Sequence, residues 1–248
     1  MDTKKVFDDG IVSKYLIKGT TPVFMNTLRR AIMINVPCLA IEDVQIYEND
    51  SPTFDELLSN RLGLLPIKTD VKTYKRGDTV KLVLEKTGPC TVTSKDIKCT
   101  DPKIEILDKK IIITKLAKDH NLKLEMTAIM NSGEAHARFQ PAIVSYNEVI
   151  EVKNDKSYDT KAILAEMPKG SIEVKAGKLF FSDPYNTEHQ NQHLDILRKH
   201  KVDVEYSKTD FILTIESTGQ LTAKEVISAA VDQLNEKLEE LDKEIKKL

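Results

Sequence analysis

Pro22-Val-Phe-Met-Asn-Thr-Leu-Arg-Arg-Ala-Ile-Met-Ile-Asn35, then Val36-Pro37, then Asp55-Glu-Leu-Leu-Ser-Asn-Arg-Leu-Gly-Leu-Leu-Pro66 is the stretch that decides the fold. Phe24, Leu28, Ile32 and Asn35 recur at helical spacing with Met25 and Ala31 nearby, which predicts a helix with a wide apolar stripe. Thr21 suits the cap of that helix and Pro22 its first turn, where the missing N–H costs nothing. A strand is expected between Val36-Pro37 and the second helix, and the residues from about Leu39 to Ile46 are expected to mark the seam between domains. In the second helix Thr53 and Glu56 make a capping-box pattern, Asp55 and Glu56 favour the positive end, Arg61 favours the negative end, and Gly63 suits the C′ position.

The 248 residues fit one large domain or two to three small ones, and a hydrophobic content of 40% is enough for a real core. Lysine and arginine total 37 against 39 acids, so no global positive field is available to hold nucleic acid. The cysteines Cys38, Cys90 and Cys99 are odd in number and have no C-x-x-C spacing, which argues against a disulfide framework and a complete cysteine metal site. A reducing cytoplasm is the natural setting. The N-terminus alternates charge and lacks the apolar core of a signal peptide, and no run reaches the ~18 apolar residues of a bilayer span. A charged fraction of 31% suits a hot or salty cytoplasm.

After Pro66 the pattern turns to short strands: Thr79 to Glu85, Ile104 to Leu107, Lys110 to Thr114 and Leu122 to Met130, punctuated by Gly88-Pro89, Asp101-Pro102 and Asn131-Ser-Gly133. Residues 153–205 are the least patterned, with Lys153 to Ser157 and Ser182 to Thr187 reading as loops. A last strand, Asp210 to Glu216, turns at Ser217-Thr-Gly-Gln220 and enters a long helix from about Thr222, where Thr222 and Glu225 form another capping box. Ile227, Val231, Leu234, Leu238, Leu241, Ile245 and Leu248 then follow at alternating steps of four and three, the repeat of a helix seam that faces another helix.

Three blocks together resemble the D subunit of archaeal RNA polymerase, the counterpart of bacterial alpha and of the eukaryotic third-largest subunit. They are Asn26 to Ile32, Val36 to Ile46 and Asp55 to Ile67, in collinear order. Gly88 to Ile97, Gly133 to Ala142 and Phe211 to Leu221 extend the likeness. The resemblance implies an α+β protein of discontinuous architecture. Residues 1–40 and 206–248 make an alpha-subunit-like dimerisation domain, 41–152 an inserted, mainly β domain, and 153–205 a reduced, cysteine-free third segment. Many relatives carry a cysteine-bearing ferredoxin-like segment there. This chain has no cysteine beyond Cys99, so the thiolates an iron–sulfur cluster requires are missing and no cofactor is expected.

The seam has two readings. A single amphipathic stripe often serves its own core. A helix of about 25 residues, however, extends nearly 40 Å, longer than a small domain covers, so Leu238 to Leu248 need a partner. The resemblance implies that this partner is the L subunit, met by the helix Pro22 to Asn35, with Phe24, Leu28 and Ile32, and by the terminal helix, with Ile227, Val231, Leu234, Leu238, Leu241 and Ile245. Arg29 and Arg30 are adjacent, point to different helix faces and make no phosphate track. The resemblance implies that they face other polymerase subunits, and a bidentate contact with the second-largest subunit suits arginine's planar fork.

His189 and His193 stand four apart, with His200 seven further on, but His189-Gln-Asn-Gln-His193 lacks the glutamate of H-E-x-x-H. An incidental polar surface is the plainer reading, and a metal-dependent hydrolase its rival. No phosphate-cradling loop or nucleophile elbow is visible. The expected function is therefore a non-catalytic assembly platform of DNA-directed RNA polymerase, a nucleotidyltransferase complex. It would pair with L, recruit the small N and P subunits and dock the second-largest subunit. Bacterial alpha carries a further DNA-binding domain; here the sequence ends at Leu248, and direct promoter recognition is not expected. A free-standing homodimer built on the terminal helix is the remaining alternative.

Overall fold

A computed structural model describes residues 1–186 and 190–247. In chain order the first half contains β1 (Asp2–Asp8), β2 (Val12–Lys18), α1 (Pro22–Asn35), β3 (Pro37–Asn49), α2 (Asp55–Gly63), β4 (Thr79–Thr87), β5 (Cys90–Thr93), β6 (Lys98–Cys99), β7 (Ile112–Leu116) and β8 (Asn121–Ser132). The second half contains β9 (Ala142–Val152), α3 (Thr160–Glu166), β10 (Ile172–Lys175), β11 (Lys178–Phe181), α4 (Gln190–Lys199), β12 (Val204–Ser217) and α5 (Ala223–Ile245). The protein is α+β. Packing groups residues 1–27 with 144–215 in one compact unit and 28–143 with 216–248 in a second. No helix among the described residues is long and apolar enough to cross a membrane.

In the second unit, Val80, Leu82 and Leu84 of β4 and Leu122, Leu124, Met126, Ala128 and Met130 of β8 alternate strictly between buried and outward positions. That period of two makes one face of the sheet β3-β8-β4-β6 the floor of the unit's core. Leu58 and Leu62 of α2 complete it, with Val92, Ile113 and Leu116 from the small sheet β5-β7. Strand β3 runs unbroken for 13 residues against β8, with bulges at Ile41/Asp43 and Ile46/Glu48.

Helix α2 departs from the reading of its sequence at both ends. Thr53 does not cap it, because Thr53 Oγ1 is engaged with Thr114 Oγ1 at 2.9 Å, and the cap position falls to Phe54, without a side-chain bond. Gly63 is the last helical residue rather than C′, and Leu64 takes the cap with φ −96°. The glycine serves close approach: a Cβ there would stand 3.2 Å from Arg138 Nη1 and 3.4 Å from the Ile41 carbonyl. Ile104 to Leu107 is not a strand either. It forms one bridge, Ile67 to Ile106, flanked by Lys68 N–H donating to Glu105 O and Leu107 N–H to Pro66 O, and it sends Ile104 and Ile106 into the core from a loop.

The first unit carries the sheet β1-β2-β12-β9, whose interior includes Leu16, Val149 and Ile212 and an edge-on contact of Tyr146 with Phe211 at 5.9 Å. The same unit holds residues 153–205, which are more ordered than their composition suggests. Helices α3 and α4 and the hairpin β10-β11 bury Ile163, Met167, Ile172, Leu179, Leu197 and Val202 together. Asp159 caps α3 by accepting from Ala162 N–H, and Lys199 of α4 reaches Glu166 of α3 at 2.8 Å.

A hydrocarbon core thus organises residues 153–205, and all three cysteines lie elsewhere, between residues 28 and 143. Leu179 is fully buried, and Leu179→Ala is expected to cost about 3 kcal/mol of local stability. Limited proteolysis should then cut within residues 153–205 several-fold faster, while chelator leaves the wild-type cleavage rate unchanged. A chelator-sensitive rate would overturn this account of the segment.

Candidate partner-binding surface

The launch of α5 is fixed by a polar knot that the turn Ser217 to Gln220 ties. Gly219 adopts φ +92°, where an L side chain would be strained, and its N–H donates to Ser217 Oγ at 3.0 Å. Thr218 donates through both N–H and Oγ1 to the Pro141 carbonyl. Gln220 is 5% exposed, so its amide must be satisfied inside the protein. Its Nε2 donates to Leu39 O at 3.2 Å, its Oε1 accepts from Cys38 Sγ at 2.9 Å and Thr218 Oγ1 at 3.1 Å, and its carbonyl accepts from Thr69 N–H at 3.1 Å. Burial pushes the Cys38 thiol up to about 12, so it stays protonated and remains a donor.

Thr222 then caps the helix as its sequence predicts. Its Oγ1 accepts from Glu225 N–H at 3.3 Å while its own N–H donates to Glu225 Oε2 at 2.9 Å. The Thr222 hydroxyl and N–H together hold the Glu225 carboxyl below its usual range.

Two apolar stripes run along α5. Ala223, Val226, Ala229 and Ala230 are buried, small residues that let the helix backbone approach its own unit closely. The heptad seam is a different stripe. Ile227 and Leu234 are half-buried, while Val231 is 41%, Leu238 63%, Leu241 56% and Ile245 56% exposed. From Asn235 to Lys247 every residue is exposed. Leu248, the last position of the repeat, lies outside the described residues. The helix therefore rests on its unit by its first two turns and holds out an apolar edge over the remaining four or so, at ~1.5 Å per residue.

On α1 the sequence-derived set divides. Leu28 and Ile32, buried to 4% and 0%, face the protein's own interior and are unavailable to a partner. Phe24 is exposed beside Val23. The stripe that the periodicity marked is this helix's core face, and Phe24 sits at its margin. Thr21 caps the helix by accepting from Phe24 N–H at 3.2 Å. Arg29 is half-buried with Nη1 3.7 Å from Met33 Sδ, and Arg30 is exposed on a different face.

The histidines do not assemble in the way their spacing invites. His189 lies outside the described residues. His193 borders a cavity of about 220 Å³ with Asp183 and Asn186. His200 sits beyond the end of α4, its Nε2 buried without a hydrogen bond and 3.4 Å from Glu166 Oε1. Among the described residues no three His, Cys, Asp or Glu side chains gather in a way that would hold a metal ion.

Sequence reasoning missed the knot around Gln220, although a glutamine followed by Leu221 at the end of an apolar strand was a visible signal. It also gave no role to Phe54, Leu57 and Leu64, which stand exposed along α2.

Residues 14–238 match the RNA polymerase Rpb3/Rpb11 dimerisation domain. The DNA-directed RNA polymerase subunit Rpo3 of Halobacterium salinarum is 32% identical over 250 residues, an alignment covering 98% of this chain and 97% of that one. The subunits Rpo3 of Methanopyrus kandleri and Pyrococcus furiosus are 31% and 30% identical, over 94% and 95% of this chain and 91% and 93% of their own. The chain therefore belongs to the RNA polymerase Rpb3/Rpb11 dimerisation-domain family, among the archaeal Rpo3, or D, subunits.

Proposed function

We propose that this chain is a non-catalytic assembly subunit of DNA-directed RNA polymerase that heterodimerises with the L subunit through the seam of α5. The observation that carries the reading is the exposed run Val231, Leu238, Leu241 and Ile245 on a helix whose neighbouring stripe is already buried. Water disfavours such an edge, and a like-shaped helix removes it. Phe24 adds an apolar contact at the start of α1. Arg29 and Arg30 are assigned to the second-largest subunit, and the N and P subunits complete the platform.

Residues 1–40 and 206–248 serve dimerisation, 41–152 the inserted domain and 153–205 the reduced segment. These functional segments cross the compact units, because a binding surface need not coincide with a folding unit. The chain supplies no catalytic residue, holds no iron–sulfur cluster, reads no DNA sequence and works in the cytoplasm. Co-expression with the L subunit of the same polymerase is expected to give a stable one-to-one complex by native mass spectrometry. A homodimer persisting in the presence of L would remove the reading's support.

A further inference from the structure

The repeat that forms the seam of α5 reaches further back than its apolar members. With Leu238 at position a and Leu241 at d, Val231 is also an a residue, and one heptad before it the a position holds a cation, Lys224. Lys237 stands at g, on the flank of the seam between Leu234 and Leu238. The acids on the flanks, Asp242 at e and Glu244 at g, are already neutralised by Lys246 at 2.5 Å and Lys247 at 2.6 Å. Lys243, the remaining lysine of the helix, lies at the outer f position, away from the edge. Among the described residues neither Lys224 nor Lys237 has a carboxylate within ion-pair distance, and both are exposed. Neither placement helps the free chain. Lys224 sits in the first turn of a 23-residue helix, where the unpaired N–H groups make a cation unfavourable. Lys237 has Gln233, Leu234, Glu240 and Leu241 one turn away, and the only acid of the four is not paired with it. A lysine in a helix seam costs stability unless an opposite charge meets it, and so restricts which helix can lie there and in which register.

Resting on the heterodimer reading, we infer that Lys224 and Lys237 set the register of the L subunit on α5, each meeting a carboxylate of the L helix that covers the seam. The two lysines are 13 residues apart, about 20 Å along the helix axis, so a single partner helix satisfies both in one alignment only. The apolar side chains supply attraction without fixing that alignment, because a shift by one heptad satisfies them nearly as well. The two ammonium groups supply the alignment and steer an acid-bordered helix into place.

The test uses the full chain and the L subunit of the same polymerase. Kd is measured by titration from about 50 mM to about 500 mM salt, where screening shortens from roughly 14 Å to 4 Å. Wild-type affinity should fall as salt rises. The double variant Lys224→Gln, Lys237→Gln keeps helix propensity and removes both charges. It should bind L roughly tenfold more weakly at low salt and lose most of the salt dependence, while its Tm stays at or slightly above the wild-type value because a cation has left the first turn of α5. Lys243→Gln removes the same charge from the outer face and should leave Kd and the salt slope as they are. A double variant that binds L as tightly as wild type, or more tightly, would overturn the inference, since a lysine with no partner charge only costs the seam stability. Equal weakening by Lys243→Gln would overturn it too, by showing that net charge rather than position acts. If the double variant behaves as wild type while Leu238→Asp with Leu241→Asp abolishes binding, the seam stands and only the register role fails. If the wild-type chain does not bind L at all, both fail.

Discussion

Replacing Leu238 and Leu241 together by aspartate is expected to abolish pairing with the L subunit while leaving the chain folded. The two side chains are 63% and 56% exposed, so they contribute little to the monomer, and aspartate in their place meets water. In the proposed complex both would become buried. Losing two leucines from such a seam forfeits about 2 kcal/mol each, and two carboxylates at an apolar contact add a desolvation penalty, so a weakening of about a thousandfold is the minimum. Size-exclusion with mass detection should show monomer where wild type shows heterodimer, with unchanged circular dichroism. A variant that still eluted as a one-to-one complex would remove α5 from the interface. Leu28→Ala gives a contrasting result, because Leu28 is 4% exposed and its loss acts on folding before it acts on pairing.

That contrast shows how much of the surface was legible in the sequence. Periodicity finds apolar stripes without saying what each stripe faces. On α1 the stripe Leu28 and Ile32 faces inward. On α5 the more regular repeat faces outward, and the inward stripe is the inconspicuous Ala223, Val226, Ala229 and Ala230. Alanine carries a weak hydrophobic signal in a sequence, yet a small side chain is what a closely docked helix needs, so the anchoring face was hidden while the free one was plain.

Local signals were otherwise dependable where no distant group competed. Thr21 and Thr222 cap as their sequence predicts, because each hydroxyl reaches only its own helix. Thr53 does not, because Thr114, distant in sequence, claims its hydroxyl. The apolar run at Ile104 to Leu107 read as a strand because burial was correctly inferred, but it bridges only to Pro66 to Lys68 among the described residues, too short a pairing for a ladder. The core of residues 153–205 escaped notice for the same kind of reason. Its members, from Ile163 to Val202, are single apolar residues on four short elements, and no one element is long enough to show a period.

The Gly133 to Pro141 stretch reads in sequence as a family word and in structure as a brace, which gives the largest stability prediction. Glu134 N–H donates to Ile34 O at 3.0 Å, joining the end of β8 to the last turn of α1. Arg138 Nη1 donates to Ile41 O at 3.0 Å and lies 3.4 Å from Glu42, which ties the same stretch to β3, and Pro141 O accepts from the Thr218 turn that launches α5. Gly133 opens this brace. A Cβ there would lie 2.0 Å from Met33 O and 2.9 Å from Gln140 Cγ, so the obstruction is mainly backbone and cannot rotate away. Gly133→Ala must therefore push β8 off the end of α1 and break the Glu134 bond, at a cost of about 4 kcal/mol and a fall in Tm of roughly 8–16 °C. Gly88→Ala meets Ala117 O at the same 2.0 Å but lies outside the brace. It should destabilise the β5-β7 region while sparing α5. Because the brace sets the direction in which α5 leaves its unit, Gly133→Ala should weaken pairing with L even at temperatures where the chain is folded, and Gly88→Ala should not. Calorimetry alongside the binding titration separates the two, and a Gly133→Ala protein with wild-type Tm and wild-type Kd would show that the helix is oriented by something other than this contact.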